Sequence, residues 1–254
     1  MELRHLVIEL NDSSVQFTSL VAGTVETTNS FVFADKKDYR YKEQLDEFIL
    51  ESGLKNREHD EHTISWSSPR TALIPSNVFA ESKSEKVYRL CFGESTGSSD
   101  IDYNRLPELS IVNVYEIPLW VKSYFVVRHP RSIIQHEGTM ILRTLFASPT
   151  FRLKIVLVPY ADYFLLAIAK ENKLMFYAAF DFQTADDIIY HLMFSLQQNG
   201  LLKEDGELIW VNGNGSSEAI CDQVKTNLER INDFKNLKVQ FDHSYIANSH
   251  KLCV

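Results

Sequence analysis

His59-Asp60-Glu61-His62 sets two imidazoles and two carboxylates in four consecutive residues, the side-chain types of a metal site. Adjacent residues rarely converge on one ion, and a structural site takes about four ligands, so the stretch reads as a solvated loop. His129 and His136 bracket an apolar stretch with Glu137 beside the second, but no order of nucleophile, base and orienting acid emerges. They read as polar residues at helix ends. No Gly-x-Ser-x-Gly elbow or phosphate-loop pattern is present, and none of Cys91, Cys221 and Cys253 has a nearby His to activate it. No catalytic residue is named. Two tracts of small polar residues remain. Asn11-Asp12-Ser13-Ser14 has the composition of a hairpin turn. Gly213-Asn214-Gly215-Ser216-Ser217 falls where a strand gives way to a helix, as a turn with a Ser cap or as N–H groups able to meet an anion.

The elements that must position these tracts recur. Leu3 to Leu10, Val15 to Val21 and Val25 to Phe33 read as three strands broken at Asn11-Asp12-Ser13-Ser14 and Ala22-Gly23. A helix with the stripe Tyr41, Leu45, Phe48 and Ile49 follows, stopping at Ser52-Gly53, then a strand, His62 to Trp66. The same order returns from residue 153. Leu153 to Val158, Tyr163 to Ala169 and Leu174 to Phe180 are strands, broken at Pro159-Tyr160-Ala161-Asp162 and Glu171-Asn172-Lys173. Their apolarity on both faces predicts cover on both faces. Thr184 is placed to cap a helix that Gly200 stops, and Glu207 to Val211 is the next strand. Ser216 or Ser217 opens a last helix with the stripe Ile220, Val224, Leu228 and Ile231, and Lys238 to Phe241 adds a strand. Identities between the copies are few; the repeat is one of architecture.

The middle, residues 67–150, is less regular. Ala72 to Phe79 reads as a strand and a short capped helix, and Lys86 to Phe92 as a strand. Gly93-Glu94-Ser95-Thr96-Gly97-Ser98-Ser99-Asp100 is expected to be mobile. Ile111 to Tyr115 is a strand, Pro118 opens a helix to about Val127, Ser132 to Gln135 is a short strand, and Glu137 to Ala147 a helix. The bounds are those of a soluble globular chain: 254 residues, 44% hydrophobic and 24% charged. A formal net charge of -8 argues against a nucleic-acid partner. Three scattered cysteines read as reduced thiols, and neither a signal peptide nor a spanning run is recognisable, so a cytoplasmic location is expected.

Three strands, a helix and a strand, given twice around a helical middle, resemble the actin-like ATPase plan. In detail Leu6-Val7-Ile8-Glu9-Leu10-Asn11-Asp12-Ser13-Ser14, Ala72 to Phe79, and Lys173 to Tyr190 with its Phe180-Asp181-Phe182 resemble a bacterial family of unknown function. That family, from Bacteroides-type bacteria, is described as actin-like in fold, and the resemblance spans essentially the whole chain. More distantly the chain looks like cytoplasmic actin-like proteins of pilus and secretion platforms. The resemblance implies an α/β (α+β) duplicated actin-like, ribonuclease H-like fold. Its two lobes, 1–150 and 151–254, would each hold a mixed sheet flanked by helices. It also implies a nucleotide cleft formed by Glu9, Asn11, Ser13, Ser14, Gly213, Gly215 and Ser216. The actin-like ATPases carry an acid-x-Gly-Ser/Thr turn in the first hairpin and acid-x-Gly in the second, where Gly admits backbone N–H groups close to phosphate. Here Asn11 stands for the first Gly, and Val158-Pro159-Tyr160 departs from the second motif altogether. The favoured expectation is a non-catalytic scaffold or assembly factor that binds another protein and needs no cofactor. The alternatives are a protein binding ATP and magnesium, and a dimerising, non-catalytic subunit of a modifying enzyme, as a homo- or heterodimer. No membrane insertion is expected.

Overall fold

The computed structural model describes residues 2–54, 59–95, 97–149, 151–231, 235–242 and 244–251, and all their side chains save those of residues 38 and 39. Thr96 and Cys253 lie outside the described residues. The chain forms two compact units, Met1–Met140 with Ala247–Val254, and Ile141–Ile246.

In the first unit β1 (Arg4–Leu10), β2 (Ser14–Val21) and β3 (Thr24–Val32) make an antiparallel meander. Helix α1 (Asp38–Glu51) crosses to β4 (Glu61–Trp66), which pairs parallel with β1. A three-stranded antiparallel insertion follows: β5 (Thr71–Pro75), helix α2 (Ser84–Phe92), β6 (Ser99–Leu106) and β7 (Ile111–Pro118), in the order β5-β7-β6. Helix α3 (Leu119–Arg128) leads to β8 (Ile134–His136), which completes a mixed sheet β3-β2-β1-β4-β8, and α4 (Glu137–Phe146) comes next. The second unit repeats the plan with β9 (Leu153–Pro159), β10 (Tyr163–Lys170), β11 (Lys173–Asp181), α5 (Ala185–Gln198), β12 (Gly206–Trp210), α6 (Glu218–Arg230) and β13 (Leu237–Phe241). Its sheet runs β11-β10-β9-β12-β13, and α7 (Tyr245–His250) ends the described chain.

The duplication extends to details that identity hides. In each meander the register slips at the third residue of the third strand, past Glu26 between Ser19 and Leu20, and past Met175 between Ile168 and Ala169. Both second hairpins turn through two residues with positive φ, Ala22-Gly23 and Glu171-Asn172. That is the twist a two-residue hairpin favours. Thr184 and Asp187 form a reciprocal capping box on α5. Trp66 and Trp210 each end the fourth strand almost fully buried.

The cores follow the predicted stripes. Leu6, Ile8, Phe17, Leu45 and Trp66 pack with Trp120 and Tyr124 of α3. Ile155, Leu157, Phe164, Leu166, Ile188, Leu192, Val224 and Leu228 pack in the second unit. Burying each such side chain contributes roughly 1.5–3 kcal/mol before conformational entropy is set against it. Strand β10 is buried on both faces up to Lys170, as its composition predicts.

Three local expectations differ. Residues 86–92 are helical, not extended: Tyr88 and Phe92 meet at i,i+4 with rings 5.2 Å apart, while Leu90 is 87% exposed. A short apolar run fits either period, and the Tyr88 hydroxyl bond to Glu116 of β7 fixes this one. After Pro75 the chain makes a turn and a 3-10 turn at Glu81–Lys83 in place of the capped helix. Ser99 and Asp100, expected to be mobile, begin β6 because Pro118 and Ile117 of β7 pair with them.

Candidate functional site

In the first unit Glu9, Asn11, Ser13 and Ser14 converge where β1 turns into β2. The turn is closed by its own side chain. Asn11 Oδ1 accepts the N–H groups of Ser13 and Ser14, both at 2.8 Å, and the Ser14 hydroxyl at 3.2 Å. Lys36 Nζ donates to Ser13 Oγ, and the Tyr41 hydroxyl to the Asp12 carbonyl. Glu9 is buried on β1 and accepts from Gln16 Nε2 at 3.1 Å. Burial, and then the nearby carboxylate of Glu137, push the Glu9 carboxyl well above its usual range, with the Gln16 bond opposing. Glu137, in the first turn of α4, accepts from Ser65 Oγ at 3.4 Å. Two buried carboxyls thus lie near enough for the charge of one to disfavour ionisation of the other. In the sequence Glu137 stands out only beside His136 and at a helix start; its approach to Glu9 is a tertiary fact.

In the second unit Gly213, Gly215 and Ser216 share one turn after β12. Gly213 N–H donates to the Pro159 carbonyl at 3.1 Å. A Cβ on Gly213 would lie 2.5 Å from that oxygen and 2.9 Å from the Tyr160 ring. Tyr160 is buried and stacks on Tyr163 with centroids 4.6 Å apart. Gly215 takes φ +81° and Ser216 N–H donates to the Gly213 carbonyl. Ser217 is the N-cap of α6, but its hydroxyl makes no capping bond.

The histidines set aside in the sequence lie elsewhere in the first unit and do come together. His62 of β4 packs against His129, just past α3, with ring centroids 4.4 Å apart, and His59 lies 5.9 Å from His62. These imidazoles and Arg128 line two adjoining cavities of about 600 and 590 Å³. The first is walled by Leu6, Phe17, Ile49 and Leu54, the second by Ile64, Ile133 and Met140. Burial lowers His62, and it lowers His129 to about 4, with His62, Arg128 and His59 adding repulsion. Both imidazoles are therefore neutral near pH 7. Arg128 is held by both oxygens of Asp46, at 2.8 and 2.9 Å, and lies 3.7 Å over the Tyr124 ring. Among the described residues no three His, Cys, Asp or Glu side chains are grouped to hold a metal ion. The segment 59–62 is thus a cavity wall whose last two residues open β4, not wholly the solvated loop its composition suggests. His129 and His136 do sit at helix ends, at the C-cap of α3 and immediately before α4; His136 is fully buried there, with Nδ1 accepting from the Gly138 N–H and Nε2 on the Ser68 carbonyl.

Two mixed five-stranded sheets of the same order, each flanked by helices, define an actin-like ATPase fold. The chain belongs to the family described as protein of unknown function (DUF3822), whose pattern matches residues 2–230. A protein of Bacteroides thetaiotaomicron with an actin-like ATPase fold and unknown function is similar in structure, with a TM-score of 0.78 and 13% identity. The match covers 96% of this chain and 94% of that one. The PilM–PilN type IV pilus biogenesis complex is similar at a TM-score of 0.49 and 10% identity, covering 95% and 93%. No curated protein matches the sequence. Among the described residues no helix is long and apolar enough to cross a membrane.

Proposed function

We propose that this protein is a non-catalytic, cytoplasmic scaffold of actin-like fold that binds another protein through the helical face of its first unit. The observation that carries this reading is the pair of apolar, imidazole-lined cavities opening beside exposed hydrophobic residues. Leu50 and Ile133, which line them, are 70% and 64% exposed, and Val126 and Val127 of α3, just before Arg128, are 57% and 76% exposed. Exposed apolar surface of this kind marks interaction sites. Neutral imidazoles and a compensated arginine suit an uncharged apolar anchor, flanked by donors for the imidazole nitrogens.

The turns weigh against the nucleotide alternative. Asn11 already engages the N–H groups of Ser13 and Ser14 that would otherwise point at phosphate. Gly213 is required by the close approach of Pro159 and Tyr160, which explains it without a ligand. Two experiments test the reading. Thermal-shift titration with ATP, ADP and magnesium is expected to be flat, whereas a bound ligand at 100 times its Kd would add roughly 2.7 kcal/mol. A saturable shift supports the ATP-binding alternative. Affinity capture should then recover a protein with the native chain and lose it with Val127→Asp/Ile133→Asp. Equal recovery by both baits would overturn the surface assignment, and recovery of a homologous active enzyme would favour the dimerising-subunit alternative.

A further inference from the structure

We infer that β11 is a dimerisation edge, pairing antiparallel with the β11 of a second copy of this chain about a two-fold axis at Ala178. This surface belongs to the second unit and does not depend on the protein-binding face proposed for the first.

Among the described residues strand β11 ends its sheet, with β10 as its neighbour. A sheet edge offers unpaired N–H and C=O groups, which another strand satisfies best. Native proteins normally blunt such edges with Lys, Pro, bulges or short strands. Here the bulge sits at one end, at Met175, and the straight stretch from Phe176 to Phe180 contains neither a charge nor a proline. The equivalent strand β3 bulges at the same place but then carries polar residues, Thr27-Thr28-Asn29-Ser30, which offer a second strand little apolar surface.

The side chains suit self-pairing in one register. Phe176, Ala178 and Phe180 pair with Ile168, Leu166 and Phe164 of β10, so they share the face turned to the helical core. An axis at Ala178 sets Phe176 of each copy opposite Phe180 of the other and extends that core across the axis. On the opposite face it sets Tyr177 against Ala179, large against small, twice. Antiparallel pairing also brings the Lys173 end of each strand to the Asp181 end of its mate, so opposite charges meet at both ends. A two-fold interface of this type is self-complementary, the commonest form of oligomer.

An aromatic surface continues from the edge onto α5. Phe180 stacks on His191 at 4.3 Å, His191 meets Tyr190 at 5.3 Å, and Tyr190 stacks on Phe194 at 5.9 Å. Tyr190 and Phe194 are 60% and 46% exposed although the rest of α5 buries an ordinary apolar stripe. Aromatic residues of this kind carry the energy of protein interfaces. Beside a self-pairing edge, α5 of each copy supplies them.

Sedimentation equilibrium of the full chain through the micromolar range tests the inference. The native protein is expected to approach twice its 29.3 kDa chain mass. Lys173→Glu and Asp181→Lys each replace two attractive end contacts with two repulsive ones, so each should weaken dimerisation about tenfold. The double swap Lys173→Glu/Asp181→Lys should restore it. Amide exchange in β11 should slow as the protein concentration rises. A monomer at every concentration would overturn the inference. So would a dimer indifferent to both single variants, a double swap that fails to restore, or concentration-independent exchange in β11.

Discussion

Acidification should weaken the first unit through a buried hydrogen-bonded chain that links the last helix to the central strands. His250 Nδ1 lies 2.6 Å from Thr63 Oγ1, which lies 2.8 Å from His5 Nε2. All three residues are buried, and His250 Nε2 has no hydrogen-bond partner among the described residues. With neutral rings the one hydroxyl donates to one imidazole and accepts from the other; with two imidazolium ions it could only accept, and two buried like charges would stand on either side of it. Burial lowers His5 from 6.5 to about 4, helped by the charges of His62, His59 and Lys251, and it lowers His250 to about 3, helped by His5. A histidine whose folded value is depressed stays neutral in the native state while the unfolded chain takes up the proton. Its stabilising contribution is therefore full above about pH 6.5 and is lost as the pH falls toward the folded value. At pH 5 the unfolded imidazole is almost wholly protonated and the native one almost wholly neutral, a loss of about 2 kcal/mol per histidine. His250→Asn keeps a hydrogen-bonding group near the Nδ1 position and removes one of the two titrations. Between pH 8 and pH 5 the native protein should lose about 2 kcal/mol more than this variant, a large share of a typical total stability of about 5–15 kcal/mol. Urea unfolding at both pH values, followed by circular dichroism, measures the difference. His129 and His136 titrate in both proteins and cancel. Equal losses would refute the neutral buried pair.

Gly213→Ala should destabilise the second unit by about 1–3 kcal/mol, because the added methyl meets the Pro159 carbonyl and the Tyr160 ring at sub-contact distance; a thermal melt within error of native would show that the turn relaxes freely. Thr184→Ala should cost about 1 kcal/mol by opening the capping box, whereas Ser217→Ala, at a cap whose hydroxyl makes no capping bond, should be nearly neutral. Comparable costs for the two in urea unfolding would contradict the observed caps.

Most elements were legible because their signals are local. The Tyr41, Leu45 and Phe48 stripe of α1, the Thr184 cap with Gly200 beyond it, and the run from Tyr163 to Ala169 each carry their period or punctuation within a few residues. Residues 86–92 and 99–106 were not legible. Tyr88 depends on Glu116, 28 positions away, and Ser99 on Pro118. The six-residue α7 is too short to announce itself, and its Ala247 is held by Val7 and Leu20 of the first sheet.

The sequence by itself determined the duplication and the identity of the residues at each hairpin turn, since the succession of elements and turn chemistry are written in apolar periodicity and breakers; the two mixed sheets were implied by the resemblance to the actin-like plan. What those turns contact within the chain was decided by tertiary structure. Asn11 folds its amide back over Ser13 and Ser14, Tyr160 packs on Gly213, and Glu137 arrives beside Glu9 from 128 residues along the chain. The imidazole wall is likewise built from His62 and His129, which the chain separates and packing joins. A hydrogen bond or a buried charge depends on distance in space, and no local pattern encodes that distance.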